Sequence, residues 1–319
     1  MVGRGQLELV ESAAFHPILP LLPKEEIINQ IKINHAINTS RFGKVYQPRG
    51  FYCPEMAYHP KLAPIIKKMG YQYIILGQIS YNGHLLDIDN HTKYLIGKTE
   101  LAVVFRNNKI SQSFVPHAII DLYHQGFNDT IITATDGELY GHHYSDWLPS
   151  YQTATSVKKI TTGTLFEYIE SLSKSKIIHP VASSWESSEA ELKAQNPFAL
   201  WQDPKNEIHQ NLWALAKLAL RLNSTNQKDP NHFASRLHLE RGIASCTFWW
   251  ASAKDFKLFN QPAWSPEEVE KGALELLNSI RSLTKLKPIT KIKAEKIFLE
   301  IHKLIWTTHW SKHNQHYDK

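Results

Sequence analysis

The sequence predicts an α/β fold, a parallel sheet or barrel followed by a separate helical region. Two observations predict it. Short β-rich runs alternate with helical segments through the first 185 residues, and after Trp185 the strand pattern stops. The strand runs are Leu7 to Val10, Gly50 to Cys53, Tyr73 to Leu76, Leu101 to Phe105, Thr130 to Thr135 and Val181 to Ser184. The break gives two regions, 1–190 and 191–319.

The helices between the strands follow from spacing and caps. Glu25 to Ile37 carries Ile27, Ile28 and Ile31 at helical intervals. Pro60 to Met69 places Leu62, Ile65, Ile66 and Met69 on one face before Gly70 stops it. Thr164 and Glu167 form a capping box ahead of Phe166, Ile169 and Leu172. In the second region Ile208, Leu212, Leu215, Ala219 and Leu222 step by threes and fours. Ser265, Pro266 and Glu268 open a helix striped with Val269, Ala273, Leu276, Leu277, Ile280 and Leu283. Lys291 to Trp306 makes the last one, and Leu222 to Asn231 reads as a flexible polar loop.

Composition narrows the function classes. The chain of 319 residues is 42% hydrophobic and 21% charged, enough for a large core without a partner. Two cysteines, Cys53 and Cys246, make neither a disulfide framework nor a zinc site. No run of about 18 apolar residues or signal-peptide core is present, so no membrane partner and a cytoplasmic location are the expectation. The net charge of +6 is spread thinly, with a cluster of lysines in the last forty residues, and reads as a solvated face rather than a nucleic-acid surface. Nine Trp and thirteen Tyr permit stacking on sugar rings. Oligomeric state is not legible.

Active residues of parallel α/β folds gather at the carboxyl ends of strands. Two acids stand there. Glu55 follows a strand in GFYCPEMAY, beside Tyr52 and Tyr58, and Asp136 ends IITATDGELYGHH with Gly137 behind it. Neither has a Lys or Arg within four positions. Two carboxyls on neighbouring strand ends suit glycoside hydrolysis, in which one protonates the leaving oxygen and the other supports the anomeric carbon. The plain alternative is a pair of ordinary strand-end acids. Arg106 ends LAVVFR, where a cation could hold a carboxylate in place, and Trp185 ends VASSW, where it could stack on a sugar ring, so both are candidates for the substrate site; a rim salt bridge and a core indole are the bland readings. His142 could bond substrate or orient Asp136. Adjacent His142 and His143, and the cluster Asp87, Asp89 and His91, lack metal-ligand geometry, so neither a metal nor another cofactor is expected.

RGQLELVESAAFHPILPLLP, GFYCPEMAYHP and TATDGELYGHH resemble, in order, signature segments of glycoside hydrolase family 57. SSWESSEAELKAQNPFALWQDPKNEIHQNLW and CTFWWAS are similar to segments of its shorter bacterial members, so the resemblance runs from about Gly5 to about Ala273. It implies a seven-stranded (β/α) barrel followed by a helical region, Glu55 as nucleophile, Asp136 as general acid/base, and Glu8 and His16 as sugar contacts. It also implies a retaining hydrolase or transglycosidase acting on an oligo- or polysaccharide, an α-1,4-glucan for preference. The family normally opens with a His-Gln-Pro segment that is absent before Gly5, so the expectation is an incomplete or divergent barrel, with an open edge if a strand is lacking. A metal-dependent polysaccharide deacetylase and a non-catalytic glucan-binding relative are the competing readings.

Overall fold

The structure is a computed structural model, and it describes residues 1–141, 147–256 and 261–313. The chain divides into two compact units. The first is 1–13 with 19–197, and the second is 14–18 with 198–319.

The first unit is built on five strands: β1 (Gly50–Tyr52), β2 (Tyr73–Gly77), β3 (Thr92–Ile96), β4 (Leu101–Arg106) and β5 (Lys174–Ile178), in the order β1-β2-β4-β3-β5. β1, β2 and β4 run parallel. β3 is antiparallel to β4 and parallel to β5. Every residue of β2 and β4 is buried, as continuous apolar runs in a central parallel sheet should be. Around them lie α1 (Lys24–Phe42), α2 (Leu62–Lys68), α3 (Asn108–Ser111), α4 (Val115–His124), α5 (Trp147–Ser156), α6 (Leu165–Ser171) and α7 (Glu189–Lys193). α6 starts on the expected capping box of Thr164 and Glu167. Helix α2 ends before Gly70, whose φ of 100° is the left-handed turn that glycine allows.

Register sorts the inner face of the sheet into layers. Gly50, Tyr73 and Ala102 sit level, then Tyr52, Ile75 and Val104, then Gly77 and Arg106 at the carboxyl edge. Side chains two apart on a strand share a face, so Arg106 continues the apolar column of Ala102 and Val104. Gly50 is required here: a Cβ on it would come within 2.1 Å of the Tyr73 ring.

Three of the expected strands form as such. Three others contribute single contacts instead of ladders. Glu11, after Leu7 to Val10, makes one parallel bridge to Phe51. Within Thr130 to Thr135, the Ile132 carbonyl accepts from Asn107 at 2.7 Å. Within Val181 to Ser184, Ser183 makes an antiparallel bridge to Tyr58. β3 and β5 are additions to the reading. Lys174, Ser175, Lys176 and Ile177 of β5 are exposed, a lysine-bearing edge strand without apolar alternation. Among the described residues of this unit the ladders make an open five-stranded sheet, and the second unit holds one two-residue antiparallel ladder, Asp255–Phe256 with Gln261–Pro262.

Glu11 is the buried polar centre of this unit. It is fully covered, and its carboxylate accepts from Asn34 Nδ2 at 2.6 Å, Tyr46 Oη at 2.9 Å, Tyr71 Oη at 3.0 Å and the Ser12 backbone N–H at 3.2 Å, with His35 Nδ1 at 2.8 Å. Burial first, and then the Glu11 charge, pushes the Tyr71 hydroxyl pKa up.

The second unit is helical, with α8 (Glu207–Thr225), α9 (His232–Gly242), α10 (Ser245–Trp249), α11 (Pro266–Ser282) and α12 (Pro288–Thr308). Ser265 caps α11 through the Glu268 N–H, as its sequence implies. Trp213 stacks on Phe248 with centroids 4.3 Å apart and donates its indole N–H to the Trp201 carbonyl at 2.8 Å. The expected flexible loop is anchored: α8 runs on to Thr225, and the Asp229 carboxylate accepts from Asn231 N, Thr284 Oγ1 and Lys285 N. Burial pushes its carboxyl pKa up, but these donors outweigh it and hold the pKa at about 2.

Candidate active site

Glu55 stands directly beyond β1, on a sharp turn. Its backbone is left-handed (φ 58°, ψ 18°), and Met56 behind it has φ 46°. Such conformations are costly for residues with a Cβ and persist only where surrounding contacts enforce them. Here the enforcing contacts come from 183–185. Tyr58 and Ser183 exchange two backbone bonds, at 2.7 and 3.1 Å, and the Trp185 N–H donates to the Glu55 carbonyl at 3.2 Å. The Trp185 indole N–H then donates to Glu55 Oε2 at 2.9 Å. The half-buried Glu55 carboxylate is thereby aimed by a tryptophan 130 positions away.

Trp185 is itself held. Tyr52 meets it edge-on, with centroids 6.4 Å apart, and the Arg106 guanidinium lies 5.1 Å from its ring centre. Arg106 is 4% exposed, and its Nη1 donates to the Ala134 carbonyl at 3.1 Å, two residues before Asp136. Arg106 therefore sits behind the aromatic plane, packed into the unit.

Asp136 is solvent-exposed and precedes the short turn Gly137–Leu139. It shares an electrostatic neighbourhood with Glu55. Burial, then Glu55, with Asp136 adding to it and Arg106 opposing, pushes the Tyr52 hydroxyl pKa up. A third acid, Glu186, belongs to the same group. It is exposed in area, yet protein atoms crowd its carboxyl; burial raises its pKa, Arg106 opposes this, and the charges of Glu55 and Asp136 add to it. The sequence reading missed Glu186, although its place next to Trp185 in SSWES was a usable signal.

Glu8 is three residues upstream of the Glu11–Phe51 bridge, toward the amino ends of the strands. One of its oxygens accepts from the Phe166 N–H at 3.0 Å; its carboxylate also interacts with the buried Tyr73 hydroxyl, whose pKa is pushed up by burial first and then by the Glu8 charge. Glu8 lines a cavity of about 360 Å³ together with Arg49, Lys44, Phe166 and Glu167, at the sheet end opposite Glu55. His16 belongs to the second unit, exposed and left-handed (φ 53°), its carbonyl accepting from Ser245 N at 3.0 Å. His142 lies outside the described residues. In the Asp87, Asp89, His91 cluster, Asp89 caps its own turn, accepting from His91 N and Thr92 Oγ1, while His91 pairs with Asp129.

Acids gathered beyond the carboxyl ends of parallel strands, beside an aromatic plane, are the layout α/β folds use for their ligand sites. The comparisons with known proteins say which group of them this is. The model of glycosyl hydrolase family 57 matches residues 1–180. An α-amylase of Pyrococcus horikoshii is 23% identical over 244 residues, 69% of this chain and 38% of that protein. A 4-α-glucanotransferase of Thermococcus kodakarensis is 24% identical over 215 residues, 61% of this chain and 32% of the relative. Both matches thus reach only about a third of the relatives' length. Among solved structures, a branching enzyme of Thermococcus kodakaraensis superposes with a TM-score of 0.64 at 17% identity, covering 96% of this chain and 72% of that one. The 4-α-glucanotransferase of Thermococcus litoralis superposes with a TM-score of 0.62 at 18% identity, over 88% and 49%. The chain belongs to glycosyl hydrolase family 57.

Proposed function

We propose that this chain is a retaining glycosidase or transglycosidase acting on an α-glucan, α-1,4-linked for preference, with Glu55 as nucleophile and Asp136 as general acid/base. The observation that carries this reading is the held carboxylate of Glu55, fixed on a left-handed turn beyond β1 with Trp185 donating to one oxygen. In this reading the carboxylate so held attacks the anomeric carbon. Asp136, in the electrostatic neighbourhood shared with Glu55, protonates the departing glycosidic oxygen, then takes the proton from the water or sugar hydroxyl that releases the glycosyl enzyme. Retention requires the two carboxyls about 5 to 5.5 Å apart once substrate is bound. The names of the relatives, α-amylase and 4-α-glucanotransferase, support the substrate class.

The same reading makes the sheet part of a seven-stranded (β/α) barrel, with Leu7 to Val10 and Thr130 to Thr135 continuing its wall. Residues 1–190 are then the catalytic region and 191–319 the helical one.

The test is covalent trapping with an activated fluoro-sugar. Wild-type protein should be labelled at Glu55, and E55Q should not be; labelling of E55Q removes Glu55 from the nucleophile role. Thin-layer analysis of maltooligosaccharide products separates the outcomes, shorter products alone for hydrolysis and a ladder of longer ones for transfer.

A further inference from the structure

We propose that Arg106 is a positioning residue that aims both reacting carboxylates at once, Glu55 through Trp185 and Asp136 through the Ala134 carbonyl. The inference rests on the assignment of Glu55 and Asp136 above.

Three observations converge on it. First, the guanidinium is placed by the sheet: Arg106 ends β4 level with Gly77, whose missing side chain leaves that position of the layer unoccupied by a β2 side chain. Second, one buried group makes two different contacts. Its face lies 5.1 Å from the ring of Trp185, whose N–H holds Glu55 Oε2, and its Nη1 holds the carbonyl two residues before Asp136. Third, Arg106 Nε is buried without a hydrogen-bond partner. A buried donor left unsatisfied costs about 1–3 kcal/mol. A side chain selected only for stability would be replaced by an apolar one at little loss, because buried charges are poor sources of stability.

The charges around the guanidinium give the position a second effect. Tyr52, Glu186 and Asp136 all interact with it electrostatically, and Glu55 adjoins Tyr52 and Glu186. Two carboxylates, Glu186 and Asp136, therefore share one cation that never loses its proton. For Glu186 it favours the ionised form, and it acts from behind the aromatic plane.

The test compares R106M, which keeps length and apolar surface, with R106K, which keeps the charge but not the planar fork. A displacement of about 1 Å at reacting groups costs on the order of 100-fold. R106M should therefore lose about 100-fold in kcat on maltooligosaccharides with KM within about twofold, and R106K should recover about tenfold of that loss. A loss in kcat at constant KM, partly rescued by R106K, is a split that a purely structural role would not produce. A crystal structure of R106M should show the bond from Trp185 to Glu55 broken. A kcat within twofold of wild type, a large rise in KM at unchanged kcat, or an intact bond from Trp185 to Glu55 overturns the proposal. If R106M does not fold, R106K decides: unchanged kcat rejects it. E55Q and D136N measured alongside keep the two readings apart. Activity in both sinks the catalytic assignment, whereas inactivity of both beside a fully active R106M sinks only the role of Arg106.

Discussion

The indole N–H of Trp185 donates to Glu55 Oε2 at 2.9 Å while its backbone N–H donates to the Glu55 carbonyl at 3.2 Å. One residue thus fixes both the turn and the direction of the side chain. A hydrogen bond to a charged group is worth about 1.5–3 kcal/mol. W185F keeps an aromatic ring but removes the donor, and should lower kcat on maltooligosaccharides by about tenfold to 100-fold. Unchanged kcat would separate the tryptophan from catalysis.

His209 predicts an acid-labile helical unit. It is buried, its Nδ1 accepts from the Asp203 backbone N–H at 3.0 Å, and its Nε2 lies 2.9 Å from the Phe248 carbonyl, an arrangement that fits only the neutral ring. Burial lowers its pKa to about 4 from 6.5, the bond to Phe248 opposing. Below 6.5 the unfolded chain binds a proton that the folded one refuses. Stability present above pH 6.5 is therefore lost as pH falls toward 4, by about 3 kcal/mol in all. Urea unfolding at pH 7, 5.5 and 4.5 measures it; H209Q should be less stable at pH 7 but flatter across this window.

Glu11 predicts a stability effect without a catalytic one. E11A strands the buried donors of Asn34, Tyr46 and Tyr71, each costing about 1–3 kcal/mol. The expected loss is about 3 kcal/mol or more, read from chemical denaturation. E11Q, with one accepting oxygen, should fall between E11A and wild type.

Gly50 and Tyr73 form a steric pair. G50A puts a methyl group into the tyrosine ring and should cost about 1–3 kcal/mol. In a Y73L background the same change should cost under about 1 kcal/mol, because the double-mutant cycle isolates the clash. Equal costs in both backgrounds would place the strain elsewhere.

What the sequence by itself determined is local in origin. The strands at Gly50, Tyr73 and Leu101, the caps at Thr164 and Ser265 and the helical second unit are written in apolar period and in side chains that satisfy nearby backbone N–H groups, both confined to a few neighbours. Short segments quoted above also pointed to the family. Tertiary structure alone decided which residues meet: Trp185 on Glu55, Arg106 behind Trp185, Glu186 among the acids, and Glu8 at the far end of the sheet. It also decided β3 and β5, which become strands only because β4 offers backbone partners to β3 and β3 in turn offers them to β5. The physical reason is range. Pairing, burial and charge coupling across many positions depend on where the chain returns, and no window of sequence records that.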